Sequence, residues 1–230
     1  MNILAFMAHA HDAAYFCAGA LMKYKQQGHN IYIAVATGRE EPWGAEALGA
    51  KTRLLGFEPG QLRDDMVARP AALTAMRWAE ADIVITHAPW DGDGEHAIAG
   101  KLINDSLLVM CGKLHPADLP PVNKLPHVFY TDTMAGNTLE NRYGLHNIRT
   151  TNQTFYLTRG VYTNDWYEPE AFVDISHIMD QKLSMIPDAK IAEGCHIQCR
   201  MRGIQMGSRF AEGFSGHRLE GHIADYRLLP

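Results

Sequence analysis

The chain has 230 residues, of which 47% are hydrophobic and 20% charged, and its formal net charge is −5 at pH 7. These values are typical of a folded globular protein, and the length favours one domain over residues 1–230, although two small domains would also fit. The negative charge and the lack of charge blocks argue against a nucleic-acid partner. No run reaches the ~20 apolar residues of a membrane span and no signal-peptide pattern is visible, so we expect a cytoplasmic protein without a membrane partner.

The first strands and helices are clear from the hydrophobic pattern. Residues 2–7 and 30–36 are continuous apolar runs and are predicted to be strands. Residues 12–28 carry apolar side chains at helical spacing and are predicted to form one helix, which ends at Gly28. A crossover of this length allows the two strands to pair in parallel.

The same alternation continues as far as about residue 130. The predicted elements are a helix at 45–55 that closes at Gly56, a short strand at 61–66, a helix at 71–80, a strand at 81–87, a helix at 95–111 and a strand at 126–132. Alternating strands and helices are typical of a doubly wound, mostly parallel α/β sheet with helices on both faces.

The last part of the chain breaks this alternation. Residues 133–170 are irregular and rich in Asn, Thr and Tyr, and we expect loops or a hairpin that cap the crevice at the edge of the sheet. Residues 171–176 are predicted to be a strand, with Ser176 as a helix N-cap. Two helices are predicted between residues 176 and 211, with Pro187 opening the second.

The cysteines indicate neither a metal site nor a redox site. Cys195 and Cys199 are four residues apart in a predicted helix and could be neighbours on one face. They do not form a C-x-x-C pattern, and neither do Cys17 and Cys111. We expect all four to be reduced thiols.

Polar clusters follow several of the predicted strands, and the carboxyl ends of parallel strands meet at one edge of a sheet. These clusters are His9/His11/Asp12, Arg39/Glu40/Glu41 and the stretch from His87 to His96. Two imidazoles and a carboxylate can hold a metal ion and leave one position open for water. Zinc would make that water a nucleophile near neutral pH.

The spacing leaves open which histidine would bind the metal. His9 and His11 point the same way if this stretch is extended, so both would face the ion. A helix that begins at Asp12 would turn the chain between them and change the pairing.

Four stretches carry motifs in a defined order. They are MAHAHDAAYFCAGALMKYKQQGHNIYIAVATGRE at 7–40, DIVITHAPWDGDGEHAIAG at 82–100, PEAFVDISHIMDQKL at 169–183 and CHIQ at 195–198. Together they resemble the PIG-L/LmbE family of metal-dependent N-deacetylases. That family begins with a strand and A-H-P-D-D-x-E, continues with G-G-T-L, Q-G-H and T-x-G-E, and carries T-H and H-P-D-H after a later strand. The resemblance covers nearly the whole chain and implies the Rossmann-like LmbE fold, one zinc or other divalent ion per chain and a homo-oligomer.

Position by position, the resemblance implies that His9, Asp12 and His96 are the metal ligands. The family's usual general base is the first Asp of the D-D pair, and that position is His11 in this chain. An imidazole can accept a proton, so His11 could serve as the base. It could also be a fourth metal ligand, and either outcome would change the chemistry.

Five further side chains are weaker candidates. Asp93 and Glu95 stand in the second family signature and are candidates for a catalytic proton donor or for a partner of the ligands. Arg39, Asp65 and Trp90 are candidates for substrate binding.

The leading hypothesis is a zinc-dependent hydrolase that removes an acyl group, N-acetyl above all, from a small sugar-like or polar amide through a metal-activated water. The changed residue at the base position motivates an alternative. Family members with an altered motif include a branch resembling 4-oxalomesaconate hydratase, which adds water to a small unsaturated carboxylate. A third hypothesis is a metal-binding protein without catalysis. The first two require a small-molecule substrate, and the sequence does not identify it.

Overall fold

A computed structural model of the chain describes residues 1–113, 117–132 and 169–217. Within these residues seven strands form one sheet in the order β3-β2-β1-β4-β5-β7-β6. The strands are β1 (Asn2–Met7), β2 (Asn30–Thr37), β3 (Lys51–Phe57), β4 (Ile83–Thr86), β5 (His127–Thr131), β6 (Ala171–Asp174) and β7 (Ala211–Gly216). The first five strands pair in parallel, and β7 runs antiparallel to both β5 and β6.

Helices cover both faces of this sheet. They are α1 (Asp12–Phe16), α2 (Ala18–Gln26), α3 (Ala45–Leu48), α4 (Ala68–Ala79), α5 (Gly94–Leu107), α6 (Met179–Ser184) and α7 (Ala189–Met206). One apolar core lies beneath α1, α2, α6 and α7, and a second lies beneath α4 and α5. The predicted fold class is therefore confirmed. No helix among the described residues is both long and apolar enough to cross a membrane.

Strand β1 is the centre of the sheet and belongs to both cores. Ile3, Ala5 and Met7 pack into one core, while Leu4 and Phe6 pack into the other, and all five are 0% exposed. A strand buried on both faces requires a continuous apolar run, and this explains why its sequence does not alternate.

The position of β1 between β2 and β4 determines where a site can form. The chain leaves β1 on one side to reach β2 and returns on the other side to reach β4, so the strand order reverses at β1. A crevice forms at the carboxyl ends of the strands where the order reverses. Phe6 is in register with Thr86, whose hydroxyl donates a 2.8 Å hydrogen bond to the Phe6 carbonyl. The loops that follow β1 and β4 are therefore neighbours at this crevice.

Two predictions about residues 45–66 are wrong. The predicted helix at 45–55 ends after one turn, because Gly49 adopts a left-handed conformation with φ of 58°. The following residues, Lys51–Phe57, form the edge strand β3 because they continue the parallel ladder of β2. The predicted strand at 61–66 is a loop without ladder pairing.

Three other predictions also need correction. The predicted helix at 12–28 is divided at Cys17 into α1 and α2. Ser176 is not a helix N-cap, because its hydroxyl donates to Asp174 and α6 begins three residues later. Pro187 precedes α7 rather than opening it, and Asp188 caps that helix by accepting hydrogen bonds from two backbone N–H groups.

Strand β7 was not predicted, since its short run AEGFSG has two glycines and a glutamate, which is buried in the fold. The predicted capping segment, apart from residues 169 and 170, lies outside the described residues. All four cysteines are free, as expected, and Cys195 and Cys199 are both buried on α7.

Close packing of α5 against the loop after β4 yields a stability prediction. A Cβ added at Gly100 would lie 2.2 Å from the carbonyl oxygen of His87 and 3.0 Å from the backbone nitrogen of Pro89. Gly100→Ala should therefore lower the free energy of unfolding by about 1–3 kcal/mol, measured by chemical denaturation. Gly94→Ala is the matched control on the same helix, since nothing lies within 4 Å of its added Cβ. Equal stability of the two variants would contradict this packing.

Candidate metal centre

The turn from β1 into α1 brings two of the predicted ligands together. Asp12 is the first residue of α1 and is completely buried. Its Oδ2 accepts a 2.7 Å hydrogen bond from the backbone N–H of His9. The side chain of Asp12 therefore folds back over the end of β1, towards the imidazole of His9.

Three ligand atoms form a compact triangle at this turn, which we call the ligand triangle. His9 Nδ1 lies 3.4 Å from Asp12 Oδ2, His96 Nε2 lies 3.5 Å from the same oxygen, and the two ring nitrogens are 3.2 Å apart. Atoms that bind a zinc ion tetrahedrally at about 2.0–2.1 Å are separated by about 3.3–3.4 Å. The spacing and the donor types of the triangle therefore fit a divalent metal.

Carboxylates hold the far nitrogen of each histidine in the triangle. Glu95 Oε2 lies 3.1 Å from His9 Nε2, and Asp91 Oδ2 lies 3.3 Å from His96 Nδ1. A carboxylate partner places the proton on the far nitrogen and leaves the near nitrogen with its lone pair directed at the metal position. This arrangement is common around metal-binding histidines in proteins.

The charges around Asp12 favour its ionised form. Burial alone would raise the pKa of Asp12, but its interactions with His96 and His87 outweigh burial and hold the pKa well below its usual range. For His96, burial alone would lower the pKa, but the charge of Asp12 outweighs burial and raises the pKa of His96 well above its usual value. The pKa of His9 is also raised, since its contact with Asp12 outweighs the effect of burial. Such a cluster of protons around one carboxylate can be replaced by a metal cation.

His11 lies beside the triangle, against the other oxygen of Asp12. Its Nε2 is 3.2 Å from Asp12 Oδ1, while the triangle uses Oδ2. The His11 ring is stacked on His9 with centroids 5.4 Å apart, and it contacts the ring of Trp43 at 5.6 Å. Its side chain is 35% exposed, and burial lowers its pKa. Ligand atoms of His9, His11 and Asp12 also lie within 4.8 Å of one another, so the base and ligand hypotheses for His11 both stand.

His87 is a member of the site that the sequence analysis did not single out. It is completely buried, and its Nε2 lies 3.0 Å from Asp12 Oδ2 and 3.2 Å from the backbone nitrogen of Ala8. Its ring is stacked on His96 with centroids 3.8 Å apart. The available signal was the T-H pair at the end of β4, which recurs in the family pattern.

Asp93 and Glu95 make contacts that organise the site. Asp93 caps α5 by accepting hydrogen bonds from the backbone N–H groups of Glu95 and His96, so it sets the start of the helix that carries His96. Glu95 accepts hydrogen bonds from the backbone N–H groups of Gly60 and Leu62 as well as contacting His9. These contacts favour positioning roles, and a catalytic role for either carboxylate stays a prediction.

The proposed substrate-binding residues are more peripheral. Arg39 is exposed and its guanidinium lies 4.0 Å from Glu58. Asp65 accepts hydrogen bonds from two backbone N–H groups at the start of α4. Trp90 is 41% exposed, and its ring contacts Tyr130 at 5.2 Å. Their roles in substrate binding stay predictions.

Comparison with solved structures identifies proteins of similar fold. A conserved protein from Thermus thermophilus matches with a TM-score of 0.73 at 18% identity, covering 98% of each chain. The N,N'-diacetylchitobiose deacetylase from Pyrococcus horikoshii matches with a TM-score of 0.69 at 16% identity, covering 94% of this chain and 83% of the deacetylase. The 4-carboxy-2-hydroxymuconate hydratase from Pseudomonas putida matches with a TM-score of 0.68 at 16% identity, covering 97% of this chain and 100% of the hydratase.

These likenesses confirm at the level of the fold what the resemblance to the PIG-L/LmbE family implied. No family model and no curated protein sequence matches the chain.

The ligand triangle yields a prediction about metal binding. Zinc at 100 times its dissociation constant should raise the free energy of unfolding by about 2.7 kcal/mol, because the metal binds the folded chain. His96→Ala should abolish this stabilisation, measured by thermal unfolding with and without zinc. His177→Ala is the matched control, since His177 is an exposed histidine in the turn before α6. Undiminished stabilisation of His96→Ala would place the metal elsewhere.

Proposed function

We propose that the protein is a metal-dependent hydrolase of the deacetylase type, with one divalent ion, zinc by preference, held by His9, Asp12 and His96. The observation that carries this proposal is the ligand triangle, in which each imidazole is oriented by its own carboxylate. The donor set of two imidazoles and one carboxylate is one that catalytic zinc sites use, and it leaves a coordination position for water.

The side chains around this position have complementary tasks. A divalent metal bound there would lower the pKa of a water molecule and polarise a carbonyl oxygen. His11 would accept a proton at its imidazole and later return it to the leaving nitrogen. The carboxylate of Asp12, 3.2 Å away, would stabilise the imidazolium that forms in between. Glu95 and Asp91 would keep the ligand imidazoles in place during this cycle.

We propose a small polar amide as the substrate, with N-acetyl amino sugars as the first class to test. The fold shared with a chitobiose deacetylase supports an acetyl group on an amino sugar. The exposed indole of Trp90, in the loop between β4 and α5, could pack against a sugar ring. We further propose that the protein works in the cytoplasm, where its free cysteines would stay reduced. We also propose that it forms a homo-oligomer, as the family resemblance implies.

His96 belongs to the ligand triangle and His11 lies beside it, so their variants should affect activity in different ways. His11→Ala should keep the metal but lower kcat for acetate release by about 10²–10⁴-fold, because a general base is lost. His96→Ala should lose both the metal and the activity. Metal content by mass spectrometry and acetate release from a panel of N-acetyl sugars and amino acids would measure both effects.

His11→Asp provides the matched variant for this experiment, because it restores the carboxylate that the family pattern carries at this position. It should keep the metal and recover part of the activity lost in His11→Ala. Loss of the metal in His11→Ala would instead make His11 a ligand and remove the base from the proposed mechanism.

A hydratase is the second candidate function, and the histidine at the position of the base favours it. The fold is shared to a similar degree with a hydratase, at a TM-score of 0.68 compared with 0.69 for the chitobiose deacetylase. Incubation with small unsaturated carboxylates should then give water addition, seen as a loss of absorbance of the conjugated system. Water addition without acetate release from any amide would replace the deacetylase proposal with this one.

A further inference from the structure

A buried ion pair lies where helices α1 and α2 meet. It joins Lys182 of α6 to Glu212 of β7, with Nζ and Oε1 2.5 Å apart and side chains 0% and 1% exposed. The Lys182 ammonium also donates a 2.5 Å hydrogen bond to the carbonyl oxygen of Tyr15. The two oxygens of Glu212 accept 2.8 Å hydrogen bonds from the backbone N–H groups of Gly19 and Ala20.

The ion pair takes the place of a helical hydrogen bond. In a continuous helix the N–H of Gly19 would donate to the carbonyl of Tyr15, four residues earlier. Here Glu212 accepts a hydrogen bond from the Gly19 N–H, and Lys182 donates one to the Tyr15 carbonyl. The ion pair is therefore inserted between the two groups of this helical hydrogen bond. The helix breaks at this point, with Cys17 in a non-helical conformation at φ of −140°. The ammonium at the end of α1 and the carboxylate at the start of α2 also match the two helix dipoles.

The break matters because α1 is only five residues long and carries part of the metal centre. Asp12 begins the helix, and Phe16 ends it with its ring edge-on to His87 at 5.6 Å and to His96 at 5.8 Å. The break at Cys17 therefore determines the direction of α1, and with it the position of Asp12 relative to His96 of α5.

We propose that the Lys182–Glu212 pair is a positioning element of the metal centre, which separates α1 from α2 and so keeps Asp12 in the ligand triangle. This inference rests on the metal site of the proposed function. Desolvation of two charges makes a buried ion pair a poor source of stability compared with apolar side chains of similar size. If the pair holds the helix break in place, this explains why two charges are buried next to α1.

The double variant Lys182→Met/Glu212→Gln tests the proposal, because it removes both charges and leaves no unpaired ion in the core. The zinc dissociation constant should rise about tenfold or more, as it does when groups that orient metal ligands are replaced. The visible spectrum of the cobalt-loaded protein should shift as well, since it reports the ligand geometry directly.

A second buried ion pair supplies the matched control. Arg202 of α7 holds Asp132, which follows β5, through contacts of 2.5 and 2.8 Å, and both residues are buried. Arg202→Met/Asp132→Asn removes this pair in the same way. It should leave the zinc dissociation constant within about twofold of wild type and the cobalt spectrum unchanged. This should hold even if it lowers the melting temperature as much as the Lys182/Glu212 variant does.

The results separate this inference from the proposed function. Weaker zinc binding in the Lys182/Glu212 variant alone supports a positioning role. Unchanged binding in that variant, or equal weakening in both variants, overturns that role while leaving the metal site intact. A wild-type protein that binds no zinc or cobalt overturns the proposed metal site and this inference together.

Gly19→Ala covers the case in which the double variant fails to fold. It keeps both charges, but the added Cβ would lie 2.5 Å from Ile175 Cγ2 and 2.9 Å from Glu212 Oε1, so the contact between the start of α2 and Glu212 must shift. Weaker zinc binding in this variant supports the proposal, and unchanged binding contradicts it.

Discussion

The carboxylate of Asp12 is the group on which the rest of this structure depends. It is completely buried, and an isolated buried charge is far too unfavourable to persist. Its Oδ2 meets the backbone N–H of His9 and the rings of three histidines, at distances from 2.7 to 3.5 Å. The loops after β1 and β4 and the first turn of α5 are thus organised around one negative charge, which a divalent cation would balance.

The fold brings these groups together by a short series of physical constraints. The apolar run of β1 must be buried on both faces, and this places the strand at the centre of the sheet, between β2 and β4. The carboxyl ends of β1 and β4 are then adjacent, and α5 starts close to both. Asp93 caps α5 and fixes its first turn, so Glu95 and His96 reach the site from a rigid element. A ligand set built on such elements is held with little freedom.

Most of the sheet was predictable from local apolar runs, whereas the set His9, Asp12 and His96 was predicted from the resemblance to the PIG-L/LmbE family and not from spacing. Apolar runs predicted β1, β2, β4, β5 and β6. Elements that depend on distant partners were missed. Residues 51–57 form a strand because their backbone pairs in parallel with β2. Residues 211–216 form β7 because they pair with both β5 and β6.

The roles of several side chains were equally hidden in the sequence. A motif places Glu95 near the proposed metal position, but only the structure shows that its oxygens face His9, Gly60 and Leu62. The break at Cys17 could not be seen from helical spacing, since its cause lies in Lys182 and Glu212, more than 160 residues away. The T-H pair at the end of β4 was the only sequence signal for His87, and the structure adds that its ring is stacked on His96.

X-ray absorption at the zinc edge of the metal-loaded protein is the most direct test of the central claim, that His9, Asp12 and His96 bind the metal and His11 stands beside them. The spectrum should show four nitrogen or oxygen ligands at about 2.0–2.1 Å, two of them imidazoles, and it should be the same in His11→Ala. Three imidazoles in the wild type, falling to two in His11→Ala, would contradict this claim and make His11 a ligand.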